Sequence, residues 1–180
     1  TQQVTITINE NESAPTVTLS SSASSVDENG SALTLTATLS VATTADVTIA
    51  LSASGSATEG TDYENLSNIT VSAGSTTGTT SFTPTDDSVF EGDETATIDI
   101  DSVSGGSAVE NGNQSTTITI TEDDSSPTVT LSRSAASIAE NAGSSLTITA
   151  KLSIATTEDV TVTLSAAGTG TEGSDYTSLS

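Results

Sequence analysis

The segment Thr116–Ser132, TTITITEDDSSPTVTLS, is a close copy of Val4–Ser20, VTITINENESAPTVTLS. Pro127 follows Pro15 by 112 residues, a period that indicates tandem domains. On both sides of the acidic centre, apolar residues alternate with threonine or serine, as in a β-strand with one buried face. The segment therefore predicts the last strand of one β-domain followed by the first strand of the next.

Further matches keep this register, including Thr58–Tyr63 with Thr171–Tyr176 at a spacing of 113 residues. A unit of about 112 residues is near the commonest domain size and is large enough to bury its own core. We therefore predict one complete repeat at residues 13–124. Residues 1–12 are predicted to be the C-terminal strand of a preceding repeat, and residues 125–180 the N-terminal half of a following one. We expect the chain to be part of a longer polypeptide.

The apolar pattern within the unit has a period of two, and no window of helical length has apolar residues at i, i+3, i+4 and i+7. About seven short strands, separated by Gly, Asn, Asp and Ser clusters, predict an all-β antiparallel sandwich. The large core fillers are predicted to be Tyr63, Phe82 and Phe90. The alternating apolar residues are Val17, Leu19, Leu33, Leu35, Ala37, Leu39, Val47, Ile49, Leu51, Ile69, Val71, Ala96, Ile98, Ile100, Ile118 and Ile120.

The charge is strongly unbalanced, with 2 basic against 24 acidic residues and a net charge of -22. Phosphate backbones require Lys and Arg, and the chain has only Arg133 and Lys151, which argues against nucleic acid and anionic membranes as partners. The sequence has no apolar stretch long enough to span a bilayer, so we expect no direct membrane insertion. Cations are the partners that this charge favours, although any single acid can simply keep the surface soluble.

Catalysis has little support in the sequence. The chain has no His or Cys for acid–base or nucleophilic chemistry. Paired carboxylates can cleave glycosides, but the dense acidic run has no apolar pocket beside it to raise the pKa of one carboxyl group. We therefore predict that the protein is not an enzyme.

Acidic residues concentrate at predicted strand ends: Glu28, Asp62, the run Asp86–Glu94, and Glu122–Asp124. Alternate connections of a sandwich lie at the same end, so we expect these segments to converge. Carboxylates at that distance repel each other, and hard oxygen donors without His or Cys favour Ca²⁺. Three alternatives stay open: Asp62 as a turn cap, Glu28 as a solvated edge charge, and the acidic run as a bare loop.

The combined motifs resemble the Calx-beta family: Val26–Gly30, Thr58–Tyr63, Ser81–Pro84, Asp86-Asp87 with Glu91 and Glu94, and Ile120–Asp124 before Pro127. The resemblance implies an immunoglobulin-like antiparallel β-sandwich, repeated in tandem, that binds Ca²⁺ in its distal loops. The chain departs from the family at Glu122, where an Asp usually stands, and at Ser88, where a third acid often follows the pair. The ligands that it implies are Glu28, Asp62, Asp86, Asp87, Glu91, Glu94, Asp123 and Asp124, with the Val89 carbonyl and with Glu122 in the place of the usual Asp.

We expect a Ca²⁺-binding structural repeat of a large extracellular or cell-surface protein, such as a bacterial adhesin or surface filament. Asp123 and Asp124 lie just before Pro127, so ions there would stiffen the joint with the neighbouring repeat. The ligand of such an adhesin would be a surface, a glycan or a protein. Two alternatives remain: a calcium-sensing regulatory domain of a membrane protein, and a passive surface stalk without metal.

Overall fold

The computed structural model describes residues 2–7, 11–140, 143–177 and 179. Within these residues, all regular secondary structure consists of β-strands. The chain forms two compact units, which are called unit 1 and unit 2 below. Unit 1 comprises Thr1–Asp87 and Gly92–Asp123, and unit 2 comprises Ser88–Glu91 and Asp124–Ser180. The all-β prediction is confirmed, while the proposed domain boundaries stay predictions.

Unit 1 is a β-sandwich of two sheets. One sheet has the strand order β6-β3-β1-β8 and the other β2-β9-β7-β4-β5. The strands are β1 (Thr16–Ser21), β2 (Ser25–Asp27), β3 (Leu33–Leu39), β4 (Val47–Gly55), β5 (Ile69–Val71), β6 (Thr77–Phe82), β7 (Glu94–Ser104), β8 (Val109–Glu110) and β9 (Ser115–Thr121).

The core of unit 1 follows directly from the period-two pattern. In β3, Leu35 and Ala37 are buried while Thr34 and Thr38 are exposed, because successive side chains point to opposite faces. Both sheets contribute in this way. The fully buried members are Val17, Leu35, Ala37, Val47, Ile49, Ile69, Val71, Phe82, Ala96, Ile98 and Ile118.

Two aromatic residues fill the centre of this core. The rings of Tyr63 and Phe82 stack with centroids 4.7 Å apart and an interplanar angle of 25°. Phe90, which the sequence also predicted as a core filler of this repeat, is only half-buried and belongs to unit 2. That prediction is wrong, because Phe90 lies in the loop between β6 and β7, where neither sheet of unit 1 directs its side chain into the core.

The sheets are mainly antiparallel, but two pairs are parallel: β1 with β8 and β2 with β9. The sequence predicted about seven antiparallel strands, whereas unit 1 has nine in its described part. The residues listed from alternation lie in six of these strands, and none of them lies in β2, β6 or β8. These three strands each contain a single large apolar residue, Val26, Phe82 and Val109, so they show no alternating pair, and alternation carries no information about strand direction.

Unit 2 contains β10 (Val129–Arg133) and β11 (Ile148–Leu152), which form an antiparallel pair. Val129 lies opposite Leu152, which repeats the register of Val17 opposite Leu39 in unit 1. Within unit 2, the Phe90 N–H also donates to the Ala155 carbonyl at 3.2 Å. In the described part of the chain, no helix is long and apolar enough to cross a membrane.

Candidate metal centre

The parallel pairing of β2 with β9 builds the candidate site in unit 1. Asp27 lies opposite Thr121, so both strands end at the same edge of the sheet. The residues that follow are Glu28 and Glu122, and the Glu28 N–H donates to the Thr121 carbonyl at 3.0 Å. Two acids that are 94 residues apart in sequence are therefore adjacent in space.

The start of β7 completes this edge from the other side. Because β7 is antiparallel to β9, Glu94 lies opposite Ile120. The preceding Gly92 N–H donates to the Glu122 carboxylate at 2.8 Å, and the Glu122 N–H donates to the Asp93 carboxylate at 3.1 Å. These bonds fix the Glu122 main chain and side chain against the acidic run.

Two further bonds position the remaining acids of this edge. The Asp87 N–H donates to the Glu28 carboxylate at 3.1 Å, which holds the loop after β6 beside β2. The Asn29 amide donates to the Asp123 carboxylate, which orients that side chain. The group Glu28, Glu122, Asp123 and Asp87 is called the acidic edge below.

Three members of the acidic edge can share one ion. Glu28, Glu122 and Asp123 each offer a carboxylate oxygen, and these oxygens lie within 4.8 Å of one another. Two unit charges at this distance repel by about 0.9 kcal/mol in water and by about 3.5 kcal/mol at an effective dielectric constant of 20. Unit 1 contains no Lys, Arg or His to offset this repulsion. A bound cation would offset it.

Glu28 carries the largest electrostatic perturbation of the edge. Its side chain is 7% exposed, so it is not a solvated edge charge. Burial is the main cause that raises the pKa of Glu28 from 4.5 to about 7. The hydrogen bond from Asp87 lowers this pKa, and the nearby charges of Glu122, Asp87 and Asp123 raise it. A buried carboxyl among like charges is stabilised in its ionised form by a cation.

The donor set fits a hard divalent cation. The acidic edge offers only carboxylate oxygens, and oxygen-only ligation favours Ca²⁺ or Mg²⁺ over Zn²⁺ or Cu²⁺. Its donors come from separate segments: the ends of β2 and β9, and the loop after β6. A cage from several loops suits the irregular, six- to eight-fold coordination of Ca²⁺ better than the strict octahedron of Mg²⁺.

The other predicted ligands have different environments. The Asp62 carboxylate accepts from the Thr58 N–H at 2.6 Å, so Asp62 caps its own turn as the alternative interpretation held. Its main-chain carbonyl accepts from the Thr85 N–H at 3.0 Å, next to the exposed Asp86. Glu94 opens β7 and is half-buried.

Val89, Glu91 and Asp124 are grouped with unit 2. The part that they would take in the site, like the ligand set as a whole, stays a prediction from the sequence.

Sequence reasoning missed Asn29 and Asp93 as supporting residues. Asn29 lies inside the Val26–Gly30 motif, and Asp93 inside the acidic run, so both were visible as members of a motif. Their roles depend on hydrogen bonds to Asp123 and to the Glu122 main chain. Such bonds require the relative placement of strand ends, which spacing along the chain does not give.

The fold and this arrangement of acids define a β-sandwich domain with an acidic loop pole. The family model for the Calx-beta domain matches residues 10–124 and again residues 122–180. The chain therefore belongs to the Calx-beta domain family.

Two solved structures illustrate the similarity. The crystal structure of the apo form of the Calx CBD1 domain has a TM-score of 0.51 and 20% identity, covering 61% of this chain and 99% of that one. The crystal structure of CBD12 from CALX1.2 has a TM-score of 0.49 and 22% identity, covering 56% of this chain and 41% of that one. Among curated proteins, none matches the chain.

Proposed function

We propose that the chain is a Ca²⁺-binding structural repeat of a large extracellular or cell-surface protein, and that it is not an enzyme. The observation that carries the proposal is the acidic edge, where three carboxylate oxygens lie within 4.8 Å of one another in a unit without basic residues. Glu28, Glu122 and Asp123 would hold the ion. Asp87 would contribute beside them, and Asn29 would orient Asp123.

The position of the site in the chain supports a mechanical role. The two family matches overlap at residues 122–124, which are the acids Glu122, Asp123 and Asp124. A cation bound there would restrict the segment that leads from one repeat into the next. Extracellular calcium is millimolar, so even sites with dissociation constants of about 10⁻⁴–10⁻³ M would be occupied. The neighbouring repeats are therefore the first partners that we propose.

Thermal unfolding of residues 13–124 tests calcium binding. All of the described core lies between Val17 and Ile120, so this piece keeps the complete core. With a dissociation constant of about 0.1 mM, 2 mM Ca²⁺ stabilises the folded state by about 1.8 kcal/mol. For a domain of this size the melting temperature rises by about 5–8 °C over its value in EDTA. The same concentration of Mg²⁺ gives a smaller rise.

Matched variants identify the site in this experiment. Glu28→Gln and Asp123→Asn each remove one negative charge from the acidic edge and are expected to abolish most of the calcium-dependent rise. Asp101→Asn removes the same charge from the exposed part of β7 and is expected to keep it. A melting temperature that calcium does not change would refute the proposal and leave a passive stalk.

Stiffening of the joint needs a separate measurement on the 180-residue chain. We expect ¹⁵N relaxation to give unit 1 and unit 2 one common rotational correlation time in Ca²⁺ and two different times in EDTA. Two different times in both conditions, together with calcium binding, would reject the mechanical role. That result would leave the sensing alternative.

A further inference from the structure

The loop after β3 in unit 1 borders a groove with unusual composition for this chain. The groove has a volume of about 360 Å³, and Pro15, Val41, Ala42 and Thr43 are part of its lining. Of its ten lining residues only Glu12 is charged, although the chain carries 24 acids. Val41 is 54% exposed. The groove is thus a charge-poor surface with a mixed polar and apolar lining on an otherwise acidic protein.

Unit 2 contains a copy of this loop. Its sequence Ser153–Thr157, SIATT, corresponds to Ser40–Thr44, SVATT. Both loops follow the equivalent strand, because β11 pairs with β10 in the register in which β3 pairs with β1. Ala155 and Thr156 therefore correspond to Ala42 and Thr43.

The copy in unit 2 holds an extended segment, Ser88–Glu91. The Phe90 N–H donates to the Ala155 carbonyl at 3.2 Å, and Phe90 forms a parallel bridge with Thr156. Ala155 and the corresponding Ala42 of unit 1 are both exposed, but in unit 1 no described residue donates to the Ala42 carbonyl. The same acceptor is thus used in unit 2 and open in unit 1.

The exposure of one apolar side chain of this loop differs in the same direction. Ile154 of unit 2 is half-buried, whereas its counterpart Val41 is exposed. An open backbone acceptor next to an exposed apolar side chain is the arrangement that β-type addition of an extended peptide uses.

We propose that the groove at Val41–Thr43 docks the loop of a second Calx-beta repeat that corresponds to Ser88–Glu91. The docked loop would place its N–H on the Ala42 carbonyl and its uncharged Ser-Val-Phe part along the charge-poor lining. We infer this occupant from unit 2, where Phe90 of the Ser88–Glu91 segment contacts Ala155 and Thr156, the counterparts of Ala42 and Thr43. This inference goes beyond calcium binding, because it names a protein surface and its partner.

Residues 13–124 provide the test, since this piece contains nine of the ten lining residues of the groove and a Ser88–Glu91 loop that lacks Ala155 as its partner. Loop and groove are different surfaces, so the contact is head-to-tail and builds open chains. Small transient contacts have affinities near the millimolar range. In sedimentation experiments at about 1 mM protein and 2 mM Ca²⁺, we expect the average mass to exceed that of a monomer and to keep rising with concentration.

Two variants target the two halves of the contact. Val41→Asp places a charge in the groove, and Phe90→Pro removes the N–H that bonds to Ala155 in unit 2. Each variant is expected to restore the monomer mass. Thr34→Asp, which adds the same charge on the exposed face of β3, is expected to associate like the unmodified protein.

The chemical shifts of backbone amides identify which residues form the contact, and they are measured on the same samples. We expect the ¹⁵N–¹H signals of Val41–Thr43 and of Ser88–Glu91 to move with protein concentration. A monomer at all concentrations, or association that Val41→Asp leaves unchanged, would overturn the proposal. Neither result would decide whether the protein binds calcium. Calcium binding is tested separately, by the calcium-dependent melting temperature of the same variants.

Discussion

Calcium binding to unit 1 is expected to release a proton near neutral pH. Burial, together with the charges of Glu122, Asp87 and Asp123, raises the pKa of Glu28 to about 7. The ion requires the ionised carboxylate, so binding displaces whatever proton Glu28 holds. With a pKa of about 7, the protonated fraction is about 0.9 at pH 6, about 0.5 at pH 7 and about 0.1 at pH 8.

Isothermal titration calorimetry measures this release. Titrations of residues 13–124 in buffers with different ionisation enthalpies give the number of protons per ion at each pH. We expect about 0.9, 0.5 and 0.1 protons at pH 6, 7 and 8, and a dissociation constant about tenfold weaker at pH 6 than at pH 8.

Glu28→Gln is the control for the titration, because it keeps the shape of the side chain without a titrating carboxyl group. The variant is expected to bind more weakly, with no proton release that follows this pH profile. Tight binding by the unmodified protein without proton release between pH 6 and pH 8 would refute the assignment of Glu28 as a buried ligand.

Three further expectations concern the site and the fold. In EDTA, the stability that Glu28 contributes through its raised pKa is complete below pH 4.5 and is lost as the pH rises through about 7. The urea midpoint of the unmodified protein, measured relative to that of Glu28→Gln, is therefore expected to fall over this pH range. Asn29→Ala frees the Asp123 carboxylate and weakens calcium binding about tenfold in calorimetry, with an unchanged melting temperature in EDTA. Ile98→Ala, at a fully buried site, lowers the unfolding free energy by about 2–5 kcal/mol in urea titrations, and a loss below about 1 kcal/mol would contradict the core.

A fourth expectation compares two glycines that both have positive φ angles, +90° for Gly105 and +80° for Gly74. A Cβ at Gly105 would lie 2.1 Å from the Asp46 carbonyl oxygen, whereas one at Gly74 meets nothing within 4 Å. Gly105→Ala is therefore expected to lower the melting temperature clearly more than Gly74→Ala, and equal losses would contradict the close approach.

The strand pattern was readable because burial on one face imposes a period of two. Val17, Leu35 and Ile98 were all assigned to the core from alternation alone, and all are fully buried. The same physics could not reveal β2 and β8, since each contains only one apolar residue and so shows no alternating pair. The position of Phe90 could not be predicted from alternation either, because Phe90 lies in a loop, where side chains do not alternate between the two faces of a sheet.

The acidic site was predictable in composition but not in geometry. The concentration of acids at strand ends pointed to a common pole, and Glu28 and Glu122 do meet there. Their contact depends on the parallel pairing of β2 with β9, which no local pattern encodes. The Asp62 carboxylate also accepts from the Thr58 N–H within its own turn, and its part in the site stays a prediction. Spacing suggests which residues can meet, and the register decides which ones do.

The most direct test of the account is a crystal structure of residues 13–124 grown with CaCl₂, with the anomalous signal of calcium measured. We predict an anomalous peak about 2.3–2.6 Å from carboxylate oxygens of Glu28, Glu122 and Asp123. An acidic edge without such a peak at millimolar calcium, or a peak that none of these three carboxylates contacts, would contradict the central claim.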